Sequence, residues 1–493
     1  MKHYQFLVKE FTRLHHFDHL SAITGWDAAA MMPENGNQAR ANAMAELSLL
    51  THGILVNPAL KEAFEQVDLA SLSSEQQASL REMKATWQAE NCLPADLVEK
   101  KSLAGAKCEH AWRTQRKEAD WAGFSENLKP VLDLTREEAE LRSRATGLSK
   151  YDSLLDLYEP GMNTVKLDEI FNQVKSWLPE LTRAVIEKQT AKSLVTPQGP
   201  FSETSQKDLG LDVMELLAFD FSRGRLDVSS HPFCGGVPED VRITTRYSED
   251  DFTQSLMGII HETGHAKYEQ GLPKDWLHLP VGAARSMGIH ESQSLFMEMQ
   301  VARSKAFLGY IHPKIESHLG KSEGMDLANL ETLYHWVKAD YIRVDADEVT
   351  YPAHVILRYE IERDLVEGVI EVDDIPALWN KKMQAYLGVS TADELTDGCM
   401  QDIHWTDGSF GYFPSYTLGA MYAAQFMASI RKTMDVDVLI AKGDLAPIQD
   451  WLEQNIWSQA SFYSTDELVQ RATGESLNPE YFRQHLITRY LAD

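Results

Sequence analysis

Apolar residues recur at helical spacing through most of this chain. At the start, Tyr4, Leu7, Val8, Phe11 and Leu14 share one face. The same periodicity predicts amphipathic helices over 36–55, 73–90, 94–119, 122–146 and 166–192. From Trp121 to Thr146 acidic and basic residues alternate, as on an exposed helix face. Breaks fall at Pro33–Gly36, Tyr158–Asn163 and Thr196–Thr204, all too short for an interdomain linker. There is no internal repeat, so residues 1–493 read as a single unit.

One segment leaves the helical pattern. Residues 223–247 are rich in Gly, Pro and β-branched side chains, and Asp240 to Tyr247 alternates polar and apolar residues as a half-buried strand does. Helical spacing resumes from about Ser248 to Gly271, where Ser248 and Asp251 have the spacing of a capping box and Gly271 and Pro273 supply the stop. A long helix is predicted from Ser286 to Ile311. The expected architecture is mainly α, with a small β-sheet beside the middle of the chain. Tyr416 to Ile430, the most apolar stretch, contains Gln425 and Ser429 and reads as a buried helix rather than a membrane span.

Charge narrows the function. Lys and Arg number 47 against 74 Asp and Glu, a formal net charge of −27. Such a chain repels phosphate backbones and anionic lipid, so neither nucleic acid nor a membrane is an expected partner. Cys92, Cys108, Cys234 and Cys399 are scattered without CxxC spacing, which disfavours a disulfide framework and a cysteine metal site and fits a reducing compartment. The N-terminus lacks the apolar core and cleavage site of a signal peptide, and a cytoplasmic location is expected.

The candidate chemistry lies inside the helix of 248–271. His261–Glu262–Thr263–Gly264–His265 places two imidazoles one turn apart on one face, the separation that suits one zinc ion. Glu262, between them, is placed to take a proton from a water whose pKa the ion lowers. A pair of surface histidines on an ordinary helix would share the pattern, but this one follows a strand, as in zinc peptidases. A catalytic zinc takes a third protein ligand and keeps one position open. Glu291, in His290–Glu291–Ser292–Gln293, and Glu298 two turns later are the candidates; Glu269 lies on the wrong part of the first helix.

These residues, with other segments, resemble the carboxypeptidase Taq family of metallocarboxypeptidases. The resemblance runs through Trp26–Asp27, YEPGM at Tyr158 to Met162, His231–Pro232–Phe233, DVRIT at Asp240 to Thr244, HETGH at His261 to His265 and HESQ at His290 to Gln293. It continues through IRVDAD at Ile342 to Asp347 and GCMQDIHW at Gly398 to Trp405. It implies removal of single residues from peptide C-termini, with broad specificity and poor action on proline. It further implies one zinc per subunit, replaceable by cobalt, and a cytoplasmic homodimer. The implied fold is a large helical body whose two halves flank a groove, similar to neurolysin and angiotensin-converting enzyme. In the family pattern the HES glutamate is the third ligand, which is Glu291 here.

A peptidase that acts at the last bond must bind a free α-carboxylate, and the planar fork of arginine does this best. Arg343 is the candidate, unless it is spent in an ion pair with Asp345 or Asp347; Arg242 is the alternative. The oxyanion of the intermediate calls for a donor beside the metal. Tyr416 is favoured, with His404 and His231 as further candidates, each of which could instead be a packed structural residue. Two alternatives remain: a zinc endo-oligopeptidase with the same metal chemistry, and a non-catalytic helical protein, against which Glu262 argues because a structural zinc site needs no base.

Overall fold

Helix ends fall where capping chemistry puts them. In the computed structural model, which describes residues 1–492, Ser73 and Gln76 form a capping box before Ser74–Asn91. Asp120 caps Trp121–Thr146, which ends on Gly147 at a left-handed φ of 80°. Asn163 caps Thr164–Gln189. The predicted helices at 36–55 and 94–119 appear as Asn37–Leu55 and Ala95–Gln115. The fold is mainly helical, at 67% helix, as expected.

The departure at 223–247 is a three-stranded sheet: β1 (Gly224–Val228), β2 (Phe233–Val237) and β3 (Asp240–Thr245). The order is β1-β3-β2, with β1 parallel and β2 antiparallel to the central strand. Alternation along β3 does what the pattern foretold. Val241 and Ile243 are buried and pack against Ile259 and Ala266 of the following helix. Arg242 points to the other face, where it lies over Trp26.

Two helix predictions are corrected. The helix expected from Ser248 starts at Thr253. Ser248 and Glu249 are instead tied to the start of the helix Glu203–Leu216 and to the loop before it: Phe201 N donates to Glu249 O at 2.7 Å and Gln206 Nε2 to Ser248 O at 2.7 Å. The acceptor at the helix start is therefore Asp251, whose carboxylate takes the Thr253 N–H at 2.8 Å. The long helix expected over 286–311 is three pieces: an α-helix Met287–Leu295, a wide π-turn Phe296–Ala302 and a new helix Lys305–Leu319 capped by Ser304. A π-turn spends an extra residue per turn and is found disproportionately at functional sites.

The helix Pro414–Arg431 runs through the main core, and even Gln425 is fully buried because Thr473 Oγ1 accepts from it and Asn478 N donates to it. A separate satellite core, built on Leu7, Phe11, Leu60 and Met83, holds the N-terminal helices together. Among the described residues no helix is long and apolar enough to cross a membrane, and all four cysteines are free.

Candidate metal centre

Three elements converge on one point. The helix Thr253–Gly271 brings His261, Glu262 and His265; the helix Met287–Leu295 brings Glu291; the helix Pro414–Arg431 packs behind Glu291. Two glycines permit the approach. A Cβ at Gly264 would stand 2.6 Å from Ser294 Cα, and one at Gly419 would stand 2.7 Å from Glu291 Cγ. Gly264 thus lets the first two helices touch at the site, and Gly419 lets the third press on Glu291.

One nitrogen of His261, one of His265 and one carboxylate oxygen of Glu291 all lie within 4.8 Å of one another. Glu291 Oε2 is 3.3 Å from His265 Nε2 and 3.8 Å from His261 Nε2. Two imidazoles and one carboxylate on converging helices are the donor set of a catalytic zinc with an open fourth position. Glu298 does not join them. It lies behind His261, where its Oε2 is 2.9 Å from Nδ1, while its Oε1 accepts from Arg303 Nη2 at 2.6 Å.

Both histidines are held with Nε2 facing the centre. To hold a metal ion each Nε2 would keep a free lone pair, and each Nδ1 would carry the proton. His261 Nδ1–H then donates to Glu298. His265 Nδ1–H donates to His290 Nδ1 at 2.6 Å, and His290 Nε2–H donates to Glu269 at 2.7 Å.

Charge prepares the site for a cation. Burial disfavours a proton on His261, but Glu291, Glu298 and Glu262 outweigh it and raise its pKa to about 10. A divalent ion held there would meet the same negative field and would replace that proton. Burial, with His290 and His261 nearby, lowers His265 to about 4, so its imidazole is neutral and could offer a lone pair. Burial raises Glu262 to about 7, with Glu291 adding to the effect and His261 opposing it. That value suits a base at neutral pH.

The second group of predicted residues assembles on Tyr416. Tyr416 lies one helical turn before Gly419, its hydroxyl is 3.2 Å from His404 Nε2, and its ring centroid is 5.2 Å from that of Tyr412. Arg343, 5% exposed, lies over the Tyr416 ring at 5.0 Å and donates from Nη1 to Tyr351 OH at 2.7 Å. It pairs with neither Asp345 nor Asp347. Its Nε donates to Asp402 at 3.0 Å, and Asp402 also accepts from the fully buried Arg358 at 2.6 Å. Asp347 faces Thr350 and the Lys338 N–H. Arg242 is not brought to the centre: both its bonds go to Asp240, at 3.0 and 2.7 Å. His231 lies exposed in the β1–β2 loop.

The sequence profile of the carboxypeptidase Taq (M32) metallopeptidases matches residues 6–490. The chain belongs to that family. Thermostable carboxypeptidase 1 of Thermus thermophilus is 35% identical over 486 residues, covering 96% of this chain and 95% of its own length. Carboxypeptidase 1 of Bacillus subtilis is 33% identical, covering 97% and 96%. Among solved structures, metallocarboxypeptidase 1 of Trypanosoma cruzi superposes with a TM-score of 0.98 at 47% identity, with 100% of both chains covered. The Pyrococcus furiosus carboxypeptidase gives 0.95 at 30% identity, covering 100% of this chain and 99% of its own.

The protein is thus a metallocarboxypeptidase, a family whose chemistry implies a metal ion, and the endo-oligopeptidase reading is not favoured. Sequence reasoning about this M32 chain missed the residues that orient the others. Glu269, set aside as a ligand, steadies His290; Glu298, considered as a ligand, backs His261. Glu159, in the YEPGM segment, uses its Oε1 to accept both from Gly288 N, at the start of the Glu291 helix, and from Ser415 Oγ at 2.8 Å, beside Tyr416. The HES and YEPGM motifs contained the signal, but the partners lie far apart in sequence.

Proposed function

We propose that His261, His265 and Glu291 hold one zinc ion per chain, which cobalt can replace, and that the enzyme removes single residues from peptide C-termini with broad specificity and poor action on proline. The donor set supports zinc. When bound, the ion supplies Lewis acidity toward the scissile carbonyl and lowers the pKa of water. Glu262 takes a proton from the attacking water and passes it to the leaving amine. Tyr416 donates to the oxygen that gains negative charge, and His404 fixes the Tyr416 hydroxyl. Arg343 binds the terminal carboxylate, with its Nε held by Asp402 so that the rest of the fork is presented in one orientation. Arg242, tied to Asp240, and the exposed His231 are less well placed to touch substrate and would act at the periphery.

The observation that carries this reading is the convergence of Nε2, Nε2 and Oε2 beside a buried glutamate. The family resemblance also supports a homodimer working in the cytoplasm, where the four free cysteines would stay reduced. Mass spectrometry of free-acid and C-terminally amidated peptides, with and without chelator, tests the function. Stepwise loss of C-terminal residues from the free acids alone, abolished by chelator and restored by zinc or cobalt, is the expected result. Cleavage of both sets at internal bonds would sink the carboxylate anchor.

A further inference from the structure

The carboxylate that backs His261 is itself held from behind. Glu298 lies in the π-turn Phe296–Ala302. Where that turn ends, the next backbone donors turn away from Met299 O: Arg303 N donates to Glu298 O at 3.1 Å and Ser304 N to Val301 O at 3.0 Å. Arg489 fills the gap. It lies in a second π-turn, Ile487–Leu491, and its Nη1 donates to Met299 O. Carbonyls at the end of a helical segment need donors from outside it, and a cation is favoured there.

The same Nη1 donates to Glu348 Oε2 at 3.0 Å, and the Arg489 side chain is 9% exposed. Glu348 is buried and stands in the chain between Arg343 and Tyr351, which are bonded to each other. It also accepts from His485 Nε2 and, at 3.0 Å, from Tyr490 OH. Burial opposes charge on Glu348, but His485, Arg489 and Arg303 outweigh it and hold its carboxyl well below the usual range. Arg489 therefore ties the π-turn to a fixed anion, and charge-assisted bonds of this kind are the strong ones.

A second contact runs beside the first. His335 Nε2–H donates to Arg303 O at 2.6 Å, and the Tyr490 ring packs on His335 with centroids 5.8 Å apart. Arg303 is the residue that donates to the other oxygen of Glu298. Both bonds of Arg489 go to Met299 and Glu348, so its route to the metal centre runs through Glu298. We propose that Arg489 is a positioning residue of the metal centre: by tying Met299 O to the buried Glu348, it fixes the π-turn so that Glu298 stays behind His261. This rests on His261 being a metal ligand.

Competition for zinc against a chelator of known affinity tests it. The parent is expected to take up one zinc per chain. Arg489→Met should weaken zinc binding about three- to ten-fold, less than a partner bonded directly to a ligand, because it acts one contact further out. Added to Glu298→Gln, the same change should alter affinity by less than about two-fold, since the route is already cut. Tyr490→Phe keeps the ring on His335 and leaves Arg489 in place, and should bind zinc as the parent does. Arg489→Met also leaves Glu348 with less compensation. If that variant fails to fold, Arg489→Lys decides: it keeps a charge beside Glu348 on a shorter side chain and should lose about three-fold, again only when Glu298 is present. Unchanged affinity in every folded Arg489 variant, an equal loss in the Glu298→Gln background, or an equal loss in Tyr490→Phe would overturn the proposal. A parent that takes up no zinc would overturn the metal assignment, and the proposal with it.

Discussion

Two buried polar clusters meet at the active site, and they carry opposite charge. At the proposed metal centre, Glu262, Glu291 and Glu298 crowd two histidines. Around Arg343, two guanidinium groups share the single carboxylate of Asp402, beside His354 and His404, which burial and the arginines keep neutral. Tyr351, Tyr412 and Tyr416 stand between: Tyr351 accepts from Arg343, and the charge of Glu291 acts on all three. In a chain of net charge −27, a buried excess of positive charge is a deliberate feature. The difference teaches how one peptide end is read. On the proposed function, the negative cluster would gather a cation for chemistry at the scissile carbonyl, and the positive cluster would fit the carboxylate that only a C-terminal residue has.

The largest break comes on the negative side. Glu262→Gln keeps the shape but removes the base, and turnover is expected to fall by about 10² to 10⁴-fold while zinc stays bound. Steady-state kinetics with metal content by mass spectrometry checks both halves; near-parental turnover would remove Glu262 from the mechanism. The pH profile sharpens the same point. Glu262 works ionised, so kcat/KM rises as pH passes upward through its pKa. Burial puts that pKa near 7, and the charge of a bound ion draws it lower. At saturating zinc the acid limb should therefore have its midpoint below 7, and a midpoint well above 7 would contradict the assignment.

The positive side breaks next. Arg343→Met leaves the carboxylate without its partner, and kcat/KM for free-acid peptides is expected to drop about 30-fold or more. Amidated peptides, already poor substrates, should change little, so the preference for free acids collapses. An equal loss on both would mean that Arg343 supports the fold and does not read the terminus.

The two clusters were unequally legible in the sequence. The metal cluster is local: HETGH lies on one helix and HES on the next, so helical spacing brought His261, Glu262 and His265 together, and only the choice between Glu291 and Glu298 needed the family resemblance. The positive cluster is assembled from residues 343 to 416 by tertiary packing, which no periodicity reports. Arg343 is proposed because exopeptidase chemistry demands a cation, and its partner is Asp402 rather than its neighbours Asp345 and Asp347. The mainly helical fold and the small sheet were legible from alternation and capping. The π-turn at 296–302 was not, because Phe296 to Ala302 continues the apolar rhythm of an ordinary helix.

The smallest effects separate the two histidines within the negative cluster. His261 is backed by an ionised carboxylate, Glu298, which burial opposes but Arg303 and His261 hold down to about 2. His265 is backed by a second imidazole, His290, that passes the hydrogen-bond chain on to Glu269. Loss of such an orienting partner weakens metal binding about 10- to 100-fold. Glu298→Gln should lie at the upper end of that range, because it leaves the buried Arg303 charge facing His261 with no anion between them. His290→Asn breaks the chain to Glu269 but leaves the Glu298–Arg303 pair in place, and should lie at the lower end. Competition for zinc against a chelator of known affinity measures both. The reverse order would show that the chain through His290 to Glu269, rather than the Glu298–Arg303 pair, is what sets the field at the metal.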